Sequence, residues 1–325
     1  MFKFRHSLLE TPKEEVSTEF VRCWHNFNIP EIRDLAWLLF SPPLVNTYRG
    51  LATLQLVSDE QAATIWLKKL EHTRGSKLPK RSEFKRLGLY FEALIQHVLG
   101  LGRELSFLNY QLLAHHLQVN THRDTLGEID FIVENHRQQH THLEAAVKFY
   151  LQDQPPPKPQ TVSQANWLGP NAQDRLDIKF NRLFDKQLAL SGHPRFAEQY
   201  PNCSAIHRRS HIFCGVLFHH WNDNANTPPA LNPLCLRGHW VRHSEFATLL
   251  STGNDHFVPL HKLEWLGGGQ PPQTPIRAPA PQINQHRAQC FTRHAKNDQR
   301  ELGRLMVVPD CWPQETQPED KPAKS

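Results

Sequence analysis

The chemistry this sequence offers first lies in two acids and a lysine on neighbouring segments. Residues 127–151 read GEIDFIVENHRQQHTHLEAAVKFYL. Ile129, Phe131 and Val133 alternate with Glu128, Asp130 and Ile132, the two-residue period of a strand. Residues 134–140 are polar and mark a turn. Residues 143–151 are apolar and aromatic, a second strand that should be mostly buried. Residues two apart share a strand face, so Glu128 goes with Asp130, and Glu144 goes with Ala146 and Lys148. A hairpin closing about Arg137 sets position 130 opposite position 144. Carboxylates opposed across a ladder repel each other, and a fold keeps such a pair readily when a divalent cation sits between them. Lys148, further along the same strand, would hold a phosphate or polarise a water. Oxygen ligands of this kind suit Mg²⁺ or Mn²⁺ better than zinc. The expected chemistry is metal-dependent phosphodiester hydrolysis, with Asp130, Glu144 and Lys148 as catalytic residues and the first two as metal ligands.

Several elements must position this set. The basic run at residues 77–86 holds Lys77, Lys80, Arg81, Lys85 and Arg86. It reads as a solvated linker or as a rim that contacts phosphates, since Lys/Arg clusters supply most non-specific nucleic-acid affinity. Ser82 then caps a predicted helix over 83–99, with an apolar stripe of Phe84, Leu87, Phe91, Leu94, Ile95 and Val98. Glu92 lies about 100° round from Phe91, on the flank of that stripe. A second helix is predicted over 174–190, where Gln187 interrupts a stripe of Leu176, Phe180, Leu183, Phe184 and Leu188. Lys179 and Lys186 on this helix are candidates to face substrate, and Gly192-His193-Pro194 ends it. Residues 107–120 admit a helix around Leu108, Leu112 and Leu113 or a first strand at 114–119. Residues 212–218 (IFCGVLF) read as a buried strand, and 260–266 as a short amphipathic segment. Upstream, residues 1–75 read as helical: 31–40 stops before Ser41-Pro42-Pro43, and Ser58-Asp59-Glu60 caps 61–70.

These stretches together resemble an uncharacterised bacterial family, domain-of-unknown-function family 1853, assigned to the PD-(D/E)xK nuclease superfamily. The likeness rests on Arg33-Asp34-Leu35-Ala36-Trp37-Leu38-Leu39 with Ser41-Pro42-Pro43, on Leu87-Gly88-Leu89-Tyr90-Phe91-Glu92, and on residues 125–131, 143–151 and 179–191. It spans roughly residues 30–270. The resemblance implies a restriction-endonuclease-like α/β fold: a central mixed sheet flanked by helices, with a crossover helix after the third strand. It implies that Glu92, an acid on the first helix, supports the metal, and that Gln187 lies near the substrate; Lys179, Lys85 and Arg86 are candidates to bind substrate by their charge. One position departs from the pattern. The second acid ordinarily stands two residues before the lysine, where this chain has Ala146. Glu144 stands four before, about 13 Å from Lys148 between Cα atoms at a rise of about 3.3 Å per residue. A bulge at Ala145-Ala146 would shorten that span.

Composition bounds the rest. The 325 residues carry a net charge of +5 and 39% apolar residues, which suffices for a large core with part of the chain outside it and is compatible with a polyanionic partner. The 21 histidines include no HExxH, and the adjacent pairs His115-His116 and His219-His220 would point to opposite strand faces, so surface or core-edge positions are expected. Six scattered cysteines without a CxxC pair exclude a zinc ribbon and a disulfide framework. The charged start reads as no signal peptide, and no stretch approaches the roughly 20 apolar residues of a membrane span. The expectation is a cytoplasmic protein with an N-terminal helical region (1–80), a nuclease-like core (81–266) and a Pro-rich, largely disordered tail (267–325) with an ordered piece at 302–308. The expected function is a Mg²⁺-dependent nuclease, with DNA as substrate in preference to RNA and no membrane partner. The alternative is an inactive nuclease-like fold that binds nucleic acid or protein, which Ala146 and the displaced acid favour.

Overall fold

The computed structural model describes residues 23–73, 77–153, 163–223, 228, 230–252, 255–269, 286–295 and 301–314. Helix α1 (Pro30–Phe40) has proline in its first turn and stops at Ser41, where the following prolines cannot continue it. A short hairpin, β1 (Thr47–Tyr48) and β2 (Leu51–Ala52), precedes α2 (Glu60–His72). The Asp59 carboxylate caps α2 by accepting from the Ala62 N–H. Helix α3 (Leu87–Gly100) starts later than the apolar stripe predicts. Residues 81–83 instead form a 3₁₀ turn, in which Glu83 folds back to accept from the Lys80 N–H.

The strands follow as β3 (Tyr110–Asn120), β4 (Thr125–Asn135), β5 (His140–Gln152) and β6 (Trp167–Leu168). Next come α4 (Leu176–Asn181), a π-helical turn Arg182–Gln187, α5 (Pro194–Gln199), β7 (Ile206–His220) and β8 (Leu236–Arg242). Helix α6 (His243–Thr252), β9 (His256–Leu260), β10 (Gln289–His294) and β11 (Glu301–Val308) complete the described elements. The protein is α/β, with a large mixed sheet in the order β3-β4-β5-β7-β8-β11-β10-β9 and β6 beside β5. β3, β4 and β5 form an antiparallel meander, whereas β5, β7, β8 and β11 run parallel. A parallel neighbour needs a crossover connection, and α4 with its π turn and α5 supply the one from β5 to β7. The open choice at residues 107–120 falls to a strand from Tyr110 onward.

Two registers matter for the site. Phe131 pairs with Leu143, Ile132 with His142 and Glu134 with His140, so the hairpin closes about Arg137 as expected. β5 then holds one register against β7 from Thr141↔Arg208 to Leu151↔Phe218. No bulge shortens the path from Glu144 to Lys148, and its length stays that of an extended strand.

Helices cover both sheet faces. On one, Trp37 of α1 and Phe91 of α3 share a core with Phe131, Phe149 and Trp265. On the other, Phe180 and Phe184 pack with Tyr150, Phe213 and Leu217. The described part of the predicted N-terminal region is therefore built into the main core, and residues 1–22 lie outside the described residues. Buried Asp34 of α1 fixes this joint. It accepts two bonds from Arg81 (2.7 and 2.8 Å), one from the Tyr90 hydroxyl (2.9 Å) and one from the Gly267 N–H (2.8 Å). A Cβ at Gly267 would sit 2.7 Å from the Arg33 backbone, so the close approach requires glycine. The boundaries expected at 80/81 and 266/267 do not divide the molecule.

The predicted tail needs the larger correction. β10 and β11 are sheet strands, and Leu305, Met306, Val307 and Val308 are fully buried. β11 coincides with the ordered piece expected at 302–308, whereas β10 is a short run among polar and proline-rich sequence, where averaging over composition hides it; residues 270–285, 296–300 and 315–325 of the predicted tail lie outside the described residues. Arg304 anchors β11 by donating to the carbonyls of Trp265 (2.8 Å) and Leu266 (3.0 Å) and by pairing with Glu301. None of the six cysteines is in a disulfide. Among the described residues no helix is long and apolar enough to cross a membrane.

Candidate functional site

Beyond the Phe131–Leu143 pair, the β4–β5 ladder gives way to side chains. The Asp130 N–H donates to Glu144 Oε1 (3.4 Å), and the Ala145 N–H donates to Asp130 Oδ2 (2.9 Å). Each acid thus occupies a backbone donor that a regular ladder would give to a carbonyl, and the two carboxyls are held side by side. Glu144 is fully buried and Asp130 is half-buried. From the crossover, Gln187 Nε2 donates to Glu144 Oε2 (2.6 Å), and Lys179 Nζ donates to Gln187 Oε1 (3.2 Å). Gln187 ends the π turn, where the Leu188 N–H reaches back five residues to the Leu183 carbonyl (3.0 Å). Such turns recur at functional sites.

The electrostatics follow from this crowding. Burial raises the Asp130 carboxyl, and the Glu144 charge raises it further. Burial also raises Glu144, against the pull of the Asp130 N–H and of Lys179. Glu92 on α3 is pushed up to about 7 by burial and then by Asp130. Lys179 is lowered, by burial and by nearby Lys148. Three carboxyls therefore face a single close lysine, and removing water from them favours their neutral forms.

A buried chain stands behind Glu144. Arg209 Nε donates to Ser191 Oγ (3.3 Å), Ser191 Oγ lies 2.8 Å from His142 Nδ1, and His142 Nε2 lies 2.8 Å from Glu144 Oε1. Arginine can only donate, so the serine proton goes to Nδ1, and Nε2–H points at Glu144; this assigns the tautomer from the network. Burial pushes His142 down to about 3, so it is the neutral imidazole that binds the acid.

The structure brings Asp130, Glu144, Glu92, Gln187 and Lys179 together, with Lys148 close to Lys179 but bonded to none of them. The Lys148 ammonium pairs with Asp174, a full strand span from Glu144. The cation beside the acids is Lys179 on α4. Glu128 bonds His116 Nδ1 (2.9 Å) and not the acid pair. Of the basic run, Arg81 is taken by Asp34, whereas Lys85 and Arg86 line a cavity of about 1540 Å³ that also receives Glu92, Lys148 and Lys179. His142, Ser191 and Arg209 went unrecognised in the sequence. The signal for His142 was present: it stands two residues before Glu144 and so shares its strand face.

Carboxylate oxygens are the kind of donor that a hard divalent cation takes. Two carboxyls raised by burial, one further raised by the other, are relieved by positive charge between them, and Mg²⁺ commonly takes one or two carboxylates with water and phosphate oxygens. Among the described residues no three His, Cys, Asp or Glu side chains form a ready ligand set, so Asp130 and Glu144 would be the core of any such site.

A family model described as a domain of unknown function, DUF1853, matches residues 33–317. No curated protein and no solved structure matches the chain.

Proposed function

The chain belongs to the DUF1853 family, and from that premise we propose that it is a Mg²⁺- or Mn²⁺-dependent nuclease, acting on DNA in preference to RNA. The observation that carries this reading is the buried pair Asp130–Glu144, raised by burial and supplied with one lysine. The order of elements supports a restriction-endonuclease-like core: helix α3, the meander β3-β4-β5, the crossover helix α4, then parallel β7.

Asp130 and Glu144 would hold the metal, with Glu92 in support. A bound Mg²⁺ supplies charge to the scissile phosphate and lowers the pKa of the attacking water. Lys179 offers its positive charge where negative charge develops. Gln187 ties Lys179 to Glu144 and fixes their separation. His142, held by Ser191 and Arg209, keeps Glu144 in one orientation.

Titration calorimetry of Mg²⁺ and Mn²⁺ into wild type and Asp130→Ala, with DNA cleavage on the same samples, tests the reading. The expected result is metal binding and metal-dependent cutting in wild type, both lost in the variant. Absence of metal binding in wild type with DNA present overturns it. A second reading, nucleic-acid binding without cleavage, draws on Ala146 at the usual acid position and on Lys148 being engaged by Asp174. DNA affinity that is independent of metal, with no cutting, would favour it.

A further inference from the structure

One residue of β3 carries backbone strain in the middle of the sheet. His116 has a φ of 52°, in the left-handed region that a residue with a Cβ disfavours. No inserted residue causes it. His115 pairs with Phe131 and Leu117 with Ile129, so the register is the same on both sides. What the turn changes is the facing. His115 Nε2 lies 3.2 Å from Gln96 Nε2 of α3, and Phe131 opposite it belongs to the core shared with α3. Leu117 and Ile129 pack instead with Phe196 of α5, on the other side of the sheet. Residues two apart in a regular strand share a face. The alternation therefore slips at His116 and, across the ladder from it, at Asp130. Such irregularities re-aim side chains beside active sites.

The side chain re-aimed here is an imidazole at the edge of the acids. The His116 ring is 5.1 Å from the His115 ring and 6.3 Å from the Phe131 ring. Its charge acts on Glu92, opposing the upward push of burial and of Asp130. The ring thus stands on the Glu92 side of the site. Nδ1 lies 2.9 Å from Glu128 Oε1. A carboxylate can only accept, so Nδ1 carries the proton, an assignment made from this bond. Among the described residues Nε2 has no hydrogen-bond partner, and the side chain is 39% exposed. A carboxylate that fixes one ring nitrogen and leaves the other open is the arrangement of an imidazole that moves protons. A surface ion pair alone would form without a strained backbone.

The reaction as derived from the acids lacks this part. Asp130, Glu144 and Glu92 are given to the metal, Lys179 to the developing charge and Gln187 to their spacing, and none of them is assigned to the departing oxygen. We propose that His116 is a further catalytic residue, the general acid that protonates the leaving sugar oxygen, with Glu128 holding its Nδ1; the inference rests on the nuclease reading of the acids. The attacking water gives a proton to solvent as its oxygen bonds to phosphorus. The bond from phosphorus to the sugar oxygen breaks, that oxygen takes the Nε2 proton, and the imidazole regains a proton from solvent.

The test measures cleavage at one link of a labelled DNA, in Mg²⁺ and in Mn²⁺, with the link made of oxygen throughout or with sulfur at its bridging 3′ or 5′ position. A thiolate departs without a proton. His116→Gly should cut the all-oxygen link about 10²–10⁴-fold more slowly than wild type, and the link whose sulfur departs within about 3-fold of it. Glycine takes a positive φ without steric cost, so this variant should unfold at a denaturant concentration no lower than wild type. His116→Asn, which also tolerates that φ, repeats the comparison with a side chain in place. A wild-type rate at the all-oxygen link, or an equal loss at both kinds of link, overturns the acid and leaves the nuclease. Failure of wild type to cut any of the links sinks the nuclease reading, and the acid with it.

Discussion

Two clusters of buried acids in this molecule are treated in opposite ways. Asp34 receives four donors from Arg81, Tyr90 and Gly267. Glu301, against the upward push of burial, is brought down to about 2 by the Arg304 charge and by His25 and Arg304 bonds. Both are solved structural problems, in which each charge has partners within the fold. Asp130 and Glu144 are buried against each other, with Lys179 as their one close cation, and both are shifted upward. Glu144 also receives three donors, but among the described residues no cation bonds either acid directly, and on the proposed function a bound metal would supply that charge. The general lesson is that the degree of pairing, and not burial itself, separates a structural acid from a functional one.

The largest effect should come from the paired cluster. Asp34→Ala removes the bidentate partner of Arg81, leaving it the Gly268 carbonyl (3.0 Å) and Glu264 (3.7 Å), and should cost about 3–5 kcal/mol in denaturant unfolding. Asp130→Ala should cost far less in the same experiment, and equal losses would erase the contrast. Next come the two lysines. Lys179→Ala should lower metal-dependent cleavage by about 10²–10³-fold, the scale of removing one donor to a developing charge. Lys148→Ala should lower it by less than about 10-fold, since an exposed ion pair is worth at most about 1 kcal/mol. The reverse order would return the catalytic role to Lys148. The smallest effect is on stability without metal. The folded protein raises the Asp130 carboxyl to about 7, above its unfolded value of about 3.9. Between those values the folded state binds the extra proton, so the stability it lends is complete at low pH and lost as pH rises through about 7. Asp130→Asn should therefore be more stable than wild type by about 1–2 kcal/mol at pH 8 in EDTA, with the difference shrinking toward pH 5. A constant difference across that range would mean that the acid is not strained.

Much of the site was legible because a hairpin is local. The polar turn set the closure at Arg137, and strand period then placed Asp130 beside Glu144. Gln187 was visible as a polar break in an apolar stripe. The strand pattern drew attention to Lys148, which pairs with Asp174, whereas Lys179, the lysine bonded to Gln187, comes from a helix brought over by the crossover. Arg209 and Ser191 were not visible for the same reason: their relation to Glu144 exists only once β7 lies beside β5. Strand β10 was lost to composition, since proline and polar residues around a short buried strand dilute its signal, whereas β11 coincides with the ordered piece expected at 302–308.

The place of β11 between β8 and β10 also sets an order in time. As the chain is synthesised, the meander, the crossover and β7 can assemble while β8 still presents an open edge, which only β11, made later, can cover. The same late segment brings Arg304 to the carbonyls of Trp265 and Leu266, beside the glycine that seats Asp34. The cavity wall that carries Lys262 and Arg287 therefore closes last. On the proposed function, a nascent chain would have its acids in place before the sheet edge at β8 is closed.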